Sequence, residues 1–173
     1  MMRTFTVRIR PIAAEDVAIL IKRIAFDWGA PQKHSKRFEM QEKGDAVYLV
    51  AWYEELPVGH LLLKWQGTAD DPLAPDIRDC PDLEDLFVCP GYRSGGIGTR
   101  LLECAEQAVE NKGYALIGLA VGVDNSRARS LYERLGYRST GTGQYETGGV
   151  YIDKDGSEKS WTEVCVYLTK QLN

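Results

Sequence analysis

The residues most open to a chemical reading lie between 83 and 102, L-E-D-L-F-V-C-P-G-Y-R-S-G-G-I-G-T-R-L-L. An apolar strand runs into Pro90-Gly91 and then Arg93-Ser94-Gly95-Gly96-Ile97-Gly98. A helix follows whose Ile97, Leu101, Leu102, Ala105, Ala108 and Val109 fall on one face. Glycines at such a junction let backbone N–H groups close on a ligand, and the helix N-terminus adds partial positive charge. That arrangement suits a phosphate or a pyrophosphate. A Walker loop does not fit: Gly91 and Gly96 have its spacing, but Ile97 stands where the lysine belongs. A dinucleotide fingerprint begun at Gly96 and Gly98 fails at Leu101, where glycine or alanine is needed. On this stretch alone, a tight strand–helix turn holding no ligand stays open as well.

Further along, residues 125–137 read N-S-R-A-R-S-L-Y-E-R-L-G-Y. With R-x-x-G-x-G (Arg93, Gly96, Gly98) behind a strand ending L-F-V, this resembles the GCN5-related N-acetyltransferase (GNAT) superfamily. The second motif is carried by Asn125, Ala128, Leu131, Tyr132 and Leu135-Gly136-Tyr137. The resemblance implies a twisted mixed α/β sheet whose fourth and fifth strands splay apart to admit the pantetheine arm of acetyl-CoA, the cosubstrate. It implies that Leu86, Phe87 and Val88 are backbone partners of the pantetheine and thioester. It makes Ser94, Gly95, Gly96, Ile97, Gly98 and Thr99 the pyrophosphate cradle, with Arg93 at its start. Asn125 and Ala128 then lie beside the cofactor, and Tyr132 is the proton donor to the departing thiolate.

Acetyl transfer to an amine requires a neutral nitrogen. An alkylamine of pKa ~10.4 lies three units above neutral pH, and at about 1.36 kcal/mol per unit its deprotonation costs roughly 4 kcal/mol. A carboxylate is the natural base, and Glu84 is the candidate. The L-E-D segment at 83–85 resembles the polyamine (diamine) N-acetyltransferase branch, in which this glutamate faces the acceptor. Strand alternation places Glu84 and Asp85 on opposite faces, so only one of them enters a given site. Asp27 and Trp28, at the end of the first helix, match the family region bordering the acceptor and are substrate-binding candidates. Tyr145, Tyr151 and Trp161 are aromatic strand residues that either wall the acceptor channel or belong to the core.

Residues 68–85 carry seven acids against one base, Arg78, a local field that attracts a cationic amine. The fifth-strand stretch L-A-V-G-V at 119–123 lacks the glutamate often carried by members that acetylate protein N-termini, which points away from a peptide acceptor. The resulting expectation is direct transfer, in a ternary complex, to a primary amine of a small cationic acceptor, polyamine-like or aminoglycoside-like. A catalytically silent CoA-binding sensor and a peptide N-acetyltransferase are the alternatives.

These residues need a scaffold to position them. The patterning predicts strands at 4–9, 46–53, 58–65, 83–88, 114–123, 137–145 and 161–168, and helices at 13–26, 33–43, 96–112 and 126–135. Residues 68–81 read as a loop, and D-K-D-G at 153–156 as a turn between the last two strands. That makes about seven strands and about four helices in a single domain over residues 1–173, without repeats or linkers. A length of 173 residues supports one core without staples. With 25 acidic and 21 basic side chains, the net charge of −4 argues against a duplex-DNA partner. No apolar run approaches the ~20 residues of a membrane span, and the first residues lack a signal peptide's apolar stretch. A cytoplasmic protein without membrane or nucleic-acid partners is expected, with a homodimer suggested by the family. Cys80, Cys89, Cys104 and Cys165 have no metal-ligand spacing and read as small buried thiols, so no metal is expected.

Overall fold

The computed structural model describes residues 4–25, 31–70 and 73–173. The chain runs β1 (Arg8–Pro11), α1 (Asp16–Arg23), α2 (Lys33–Glu42), β2 (Ala46–Tyr53), β3 (Leu56–Lys64), α3 (Pro75–Arg78) and β4 (Asp82–Val88). It continues through a 3₁₀ turn at Pro90–Tyr92 to α4 (Ile97–Asn111), β5 (Leu116–Gly122), α5 (Ser126–Arg134), β6 (Arg138–Ile152) and β7 (Glu158–Gln171). The seven strands form one sheet in the order β1-β2-β3-β4-β5-β7-β6. Neighbours are antiparallel except for β4 and β5, which run parallel. This is the mixed α/β sheet expected from the sequence.

Helices cover both faces of the sheet, so β2 and β3 are apolar on both sides rather than alternating. Leu49 and Ala51 of β2 join Leu61 and Leu63 of β3 under the apolar stripe of α4. Tyr48, Val50 and Trp52 point the other way, with Leu62, onto Leu20 of α1 and the adjoining Ile24. A smaller cluster of Leu73, Cys80, Tyr145, Cys165 and Tyr167 lies between the segment after β3 and the last hairpin.

The boundaries differ from the sequence reading where tertiary partners decide them. β1 starts at Arg8, because its register sets Arg8 opposite Trp52 and anything much earlier runs past the end of β2. Val7 is nonetheless buried, and Phe5 packs on the rings of Tyr53 and Tyr92. The first helix starts at Asp16 rather than residue 13: the Asp16 carboxylate accepts the Ala13 N–H at 2.7 Å and pairs with Arg10 at 2.5 Å, holding residues 13–15 as a turn. It closes before Ile24, whose backbone is extended. Within the stretch read as a loop, Pro75 opens the short α3. β6 and β7 run well beyond their expected ends, paired as far as Ile152 with Glu158. Of the four cysteines, Cys80 and Cys165 are buried, Cys89 is half-buried and Cys104 exposed.

Candidate functional site

Pairing between β4 and β5 is described at only two positions, Asp82 with Gly118 and Leu83 with Leu119. Beyond them the strands part, as expected for the fourth and fifth strands. A cavity of about 350 Å³ borders the parting and is lined by Glu84, Asp85, Leu86, Ala120 and Tyr132, among others. β4 keeps its ladder to β3, but with an irregularity. His60 faces Phe87 and Leu62 faces Glu84, so Asp85 and Leu86 together oppose Leu61. Asp85 adopts φ 57, the left-handed conformation that an aspartate tolerates better than most residues.

This bulge corrects the expectation from strand alternation. Because it resets the pleat, Glu84 and Asp85 both line the cavity instead of facing opposite ways. Asp85 is held from outside its strand. Arg37 of α2, itself buried, donates from Nη2 to Asp85 Oδ2 at 2.6 Å. Arg37 Nη1 also donates to the Tyr48 hydroxyl at 3.4 Å, and that hydroxyl lies 3.0 Å from His34 Nδ1. His34 Nε2 is 2.7 Å from the Ile24 carbonyl. A carbonyl only accepts, so Nε2 carries the proton and Nδ1 accepts from Tyr48. Burial alone raises the Asp85 carboxyl, but the charge of Arg37, followed by His60, outweighs it and holds Asp85 below the usual carboxylate range. Glu84 accepts from Lys64 Nζ at 2.9 Å.

Tyr132 of α5 reaches the same cavity. It is 9% exposed and meets Tyr137 edge-on, with ring centroids 5.9 Å apart. Burial, then the negative charge of Asp85, pushes its hydroxyl up to about 12. At neutral pH it keeps its proton and serves as a donor.

The glycine loop stands at the far end of β4. Arg93 Nε donates to the Val88 carbonyl at 2.9 Å, which anchors the loop's start to the strand's end. Ser94 and Gly96 take positive φ, 62 and 80. Gly96 is the N-cap of α4, where φ 80 rather than crowding calls for glycine, since an added Cβ there meets nothing within 4 Å. Gly98, the second residue of α4, is not crowded: a Cβ there would meet Leu86 and Leu131 at an ordinary contact distance of 3.8 Å. The first peptide N–H groups of α4 have no acceptor within the helix, and the cap residue supplies no side chain to take them. Ile97 is buried and offers the loop only its backbone, while Gly95 and Thr99 are half-buried.

The remaining candidates fall in different places. Leu86 and Val88 pack against the α4 cluster. Phe87 turns to the other face and stacks on His60 with centroids 5.2 Å apart, while its carbonyl is directed at Gly59 of β3. The Asn125 side chain accepts the Ala128 N–H at 3.2 Å and so caps α5; Ala128 is half-buried against the main core. Asp27 and Trp28 lie outside the described residues. Trp161 lines the cavity. Tyr145 is buried instead, donating to Asp70 at 2.8 Å beside Thr147 at 2.6 Å, which ties the segment after β3 to the hairpin. Sequence reasoning missed Lys33, Arg37 and Lys64 on the cavity wall. It also missed Arg127, which donates to Ser94 Oγ at 3.4 Å and brings a guanidinium to the glycine loop. The second arginine-rich motif was the available signal for Arg127; nothing local marked Arg37.

The geometry fits an extended phosphorylated cosubstrate. The parted strand edge offers backbone groups to its arm, and the uncapped first turn of α4, flanked by Arg93 and Arg127, offers N–H groups and positive charge to its phosphates. Among the described residues, no group of three or more His, Cys, Asp or Glu side chains is placed to hold a metal ion. No described helix is long and apolar enough to cross a membrane.

Comparison with known proteins gives the same direction. Residues 17–137 match the model of the acetyltransferase (GNAT) family. Over 54 residues, covering 31% of this chain and 32% of the relative, the sequence is 43% identical to thialysine N-epsilon-acetyltransferase of Mus musculus. The aligned segments span only about a quarter to a third of the first curated relatives' own length. Among solved structures, an N-acetyltransferase from Staphylococcus aureus Mu50 shares the fold with a TM-score of 0.70 at 14% identity, covering 97% of this chain and 99% of that one. The PaiA N-acetyltransferase from Thermoplasma acidophilum, solved in complex with coenzyme A, gives 0.63 at 20% identity, over 96% and 99% of the two chains.

Proposed function

This chain belongs to the acetyltransferase (GNAT) family, and from that premise we propose that it is an acetyl-CoA-dependent N-acetyltransferase. In this reading it moves an acetyl group directly, in a ternary complex, to a primary amine of a small cationic acceptor, polyamine-like or aminoglycoside-like. The observation that carries the reading is the cavity at the β4–β5 parting, with Tyr132 and the Glu84–Asp85 bulge on its wall. Acetyl-CoA supplies the activated thioester. The residues of this chain bind it and manage its protons. The backbone of Leu86, Phe87 and Val88 pairs with the pantetheine arm, and residues 94–99 hold the pyrophosphate with Arg93 and Arg127 nearby.

Glu84 takes the proton of the acceptor's ammonium. Tyr132 acts as hydrogen-bond donor to the departing sulfur. With its hydroxyl near 12 and a thiol near 8.5, complete proton transfer runs uphill by about 5 kcal/mol. The useful contribution is therefore a hydrogen bond that strengthens as charge grows on sulfur. Asp85, fixed by Arg37, shapes the bulge and keeps the Tyr132 proton in place.

The acceptor reading rests on charge. On the cavity wall, Asp70, Asp82, Glu84, Asp85 and Glu163 outnumber Lys33, Arg37 and Lys64, and Trp161 offers an aromatic face to an ammonium group. A relative whose name carries thialysine supports a small-molecule amine. The same reading takes residues 1–173 as one domain, working in the cytoplasm without metal, and as a homodimer that sedimentation would reveal. Free-thiol release from acetyl-CoA tests it, with spermidine, an aminoglycoside and a short lysine peptide as parallel acceptors. Release with spermidine or the aminoglycoside is expected. Turnover of the peptide alone would overturn the acceptor assignment.

A further inference from the structure

Acetylating an ammonium ion takes two protons off nitrogen, while the departing sulfur takes back only one. The site must therefore hold a surplus proton until solvent collects it. Glu84 is one acceptor, and β4 carries another beside it. Asp82 and Glu84 are two residues apart on the regular stretch ahead of the bulge, so their side chains leave the same face of the strand. Both line the cavity. Asp82 is 3% exposed, and its Oδ1 accepts the Tyr167 hydroxyl at 2.8 Å. Lys64 stands opposite Asp82 in the ladder and donates to Glu84, so its cation lies beside both residues. A carboxyl this deeply buried is costly for packing alone.

We propose that Asp82 is a second proton acceptor of the site, drawing from Glu84 the proton taken off the acceptor amine and holding it until product leaves. The proposal rests on the acetyl-transfer reading above. In that sequence an ammonium N–H breaks as an O–H forms on Glu84, and the proton passes on to Asp82. The N–C bond then forms and the C–S bond breaks. The second proton leaving nitrogen ends on sulfur, whose growing charge the Tyr132 hydrogen bond stabilises meanwhile, and Asp82 releases its proton to water. The surroundings of Asp82 suit the role. Burial, then the negative charge of Glu84, holds its carboxyl well above the usual carboxylate range; Asp70 adds to this, while the Tyr167 hydroxyl and Lys64 pull it down. Cys80, on the segment leading into β4, packs in one cluster with Tyr167.

The test is the pH profile of kcat/KM for thiol release with spermidine or the aminoglycoside, in wild type, Asp82→Asn and Tyr167→Phe. Asp82→Asn is expected to lower kcat about tenfold, less than loss of the base itself. It should also move the acidic limb to lower pH, since the carboxyl that keeps its proton to the higher pH is then gone. Tyr167→Phe is expected to move the limb the other way, because Asp82 loses its donor. An infrared titration of the free protein gives a readout without turnover: a protonated-carboxyl band persisting to higher pH than the others, and absent in Asp82→Asn. Should Asp82→Asn fail to fold, Tyr167→Phe and the infrared titration of wild type decide. Wild-type turnover with an acidic limb unmoved by the folded variants overturns the role of Asp82 alone. A wild type silent toward every acceptor overturns the acetyl-transfer reading and this one with it.

Discussion

The two halves of β4 invite comparison. Up to Leu83 the strand is laddered on both sides, to β3 and to β5, and its residues are buried. From Glu84 onward it keeps β3 and parts from β5, and its side chains become half-buried or exposed. The bulge at Asp85 sits where the change occurs. A strand edge without a neighbour has N–H and C=O groups in search of partners. The site is thus made by a strand leaving a neighbour, and in the proposed reading the pantetheine arm takes the vacated place. The buried half fixes the position, and the open half does the binding.

The sharpest way to break this comparison is to remove what holds the bulge. Asp85→Ala leaves the buried Arg37 without its carboxylate and is expected to cost about 2 kcal/mol in urea unfolding, less than for a fully buried ion pair because the Asp85 side chain is 30% exposed. Arg37→Met combined with Asp85→Ala should recover part of the loss, because the stranded charge is then gone. Unchanged stability in the single variant would mean that the bulge holds itself. The sign of the pH dependence follows from the lowered Asp85 carboxyl. Its contribution is complete above the unfolded value of about 3.9 and is lost as pH falls through the lower folded value. The pair should therefore matter at neutral pH and fade only in strong acid.

On the open half, Tyr132→Phe is expected to lower kcat about a hundredfold while leaving the acetyl-CoA KM within about twofold, the signature of a contact made late in the reaction. An unchanged kcat would remove Tyr132 from the chemistry. A smaller effect is expected at the glycine loop. Gly96→Ala places a Cβ at φ 80 and should cost about 1 kcal/mol of stability. It should also raise the acetyl-CoA KM, because the first turn of α4 shifts. Loss of stability with an unmoved KM would separate that turn from cofactor binding.

Much of this was legible because its causes are local. Gly44, Gly113 and Gly136 close helices, apolar alternation marks strands, and R-x-x-G-x-G marks the strand–helix junction, all read within a few residues. The bulge was not legible. An aspartate enters left-handed backbone there in company with an arginine 48 residues earlier, on a helix whose polar sequence gives no hint of a buried end. The alternation rule that separated Glu84 from Asp85 assumed a regular pleat, and a distant guanidinium voids that assumption. The hairpin was cut short for a related reason. The expected strand stopped at Tyr145, yet the ladder continues past the glycines at 148 and 149 to Ile152. Asn125, read from its motif as a cofactor neighbour, has its side chain engaged in capping α5.

The smallest expected effect tests the boundary between the two halves. Lys64 lies opposite Asp82 on the buried half and donates to Glu84, the first residue of the open half. Burial works against its charge, but Glu84 outweighs burial and raises its pKa. The side chains of the pair are 24% and 42% exposed, so its contribution to stability is below about 1 kcal/mol, and Lys64→Met should barely move the unfolding midpoint. Its effect on binding should be clearer. The Lys64 ammonium sits against Glu84 where, in the proposed reading, the acceptor's ammonium must come. Removing it frees that carboxylate and should lower the acceptor KM a few-fold at low salt, with the gain shrinking as salt screens the pair. A rise in the acceptor KM would carry the opposite meaning: Lys64 orients Glu84 rather than competing for it, and the cation at the boundary is then part of the positioning apparatus of the open half.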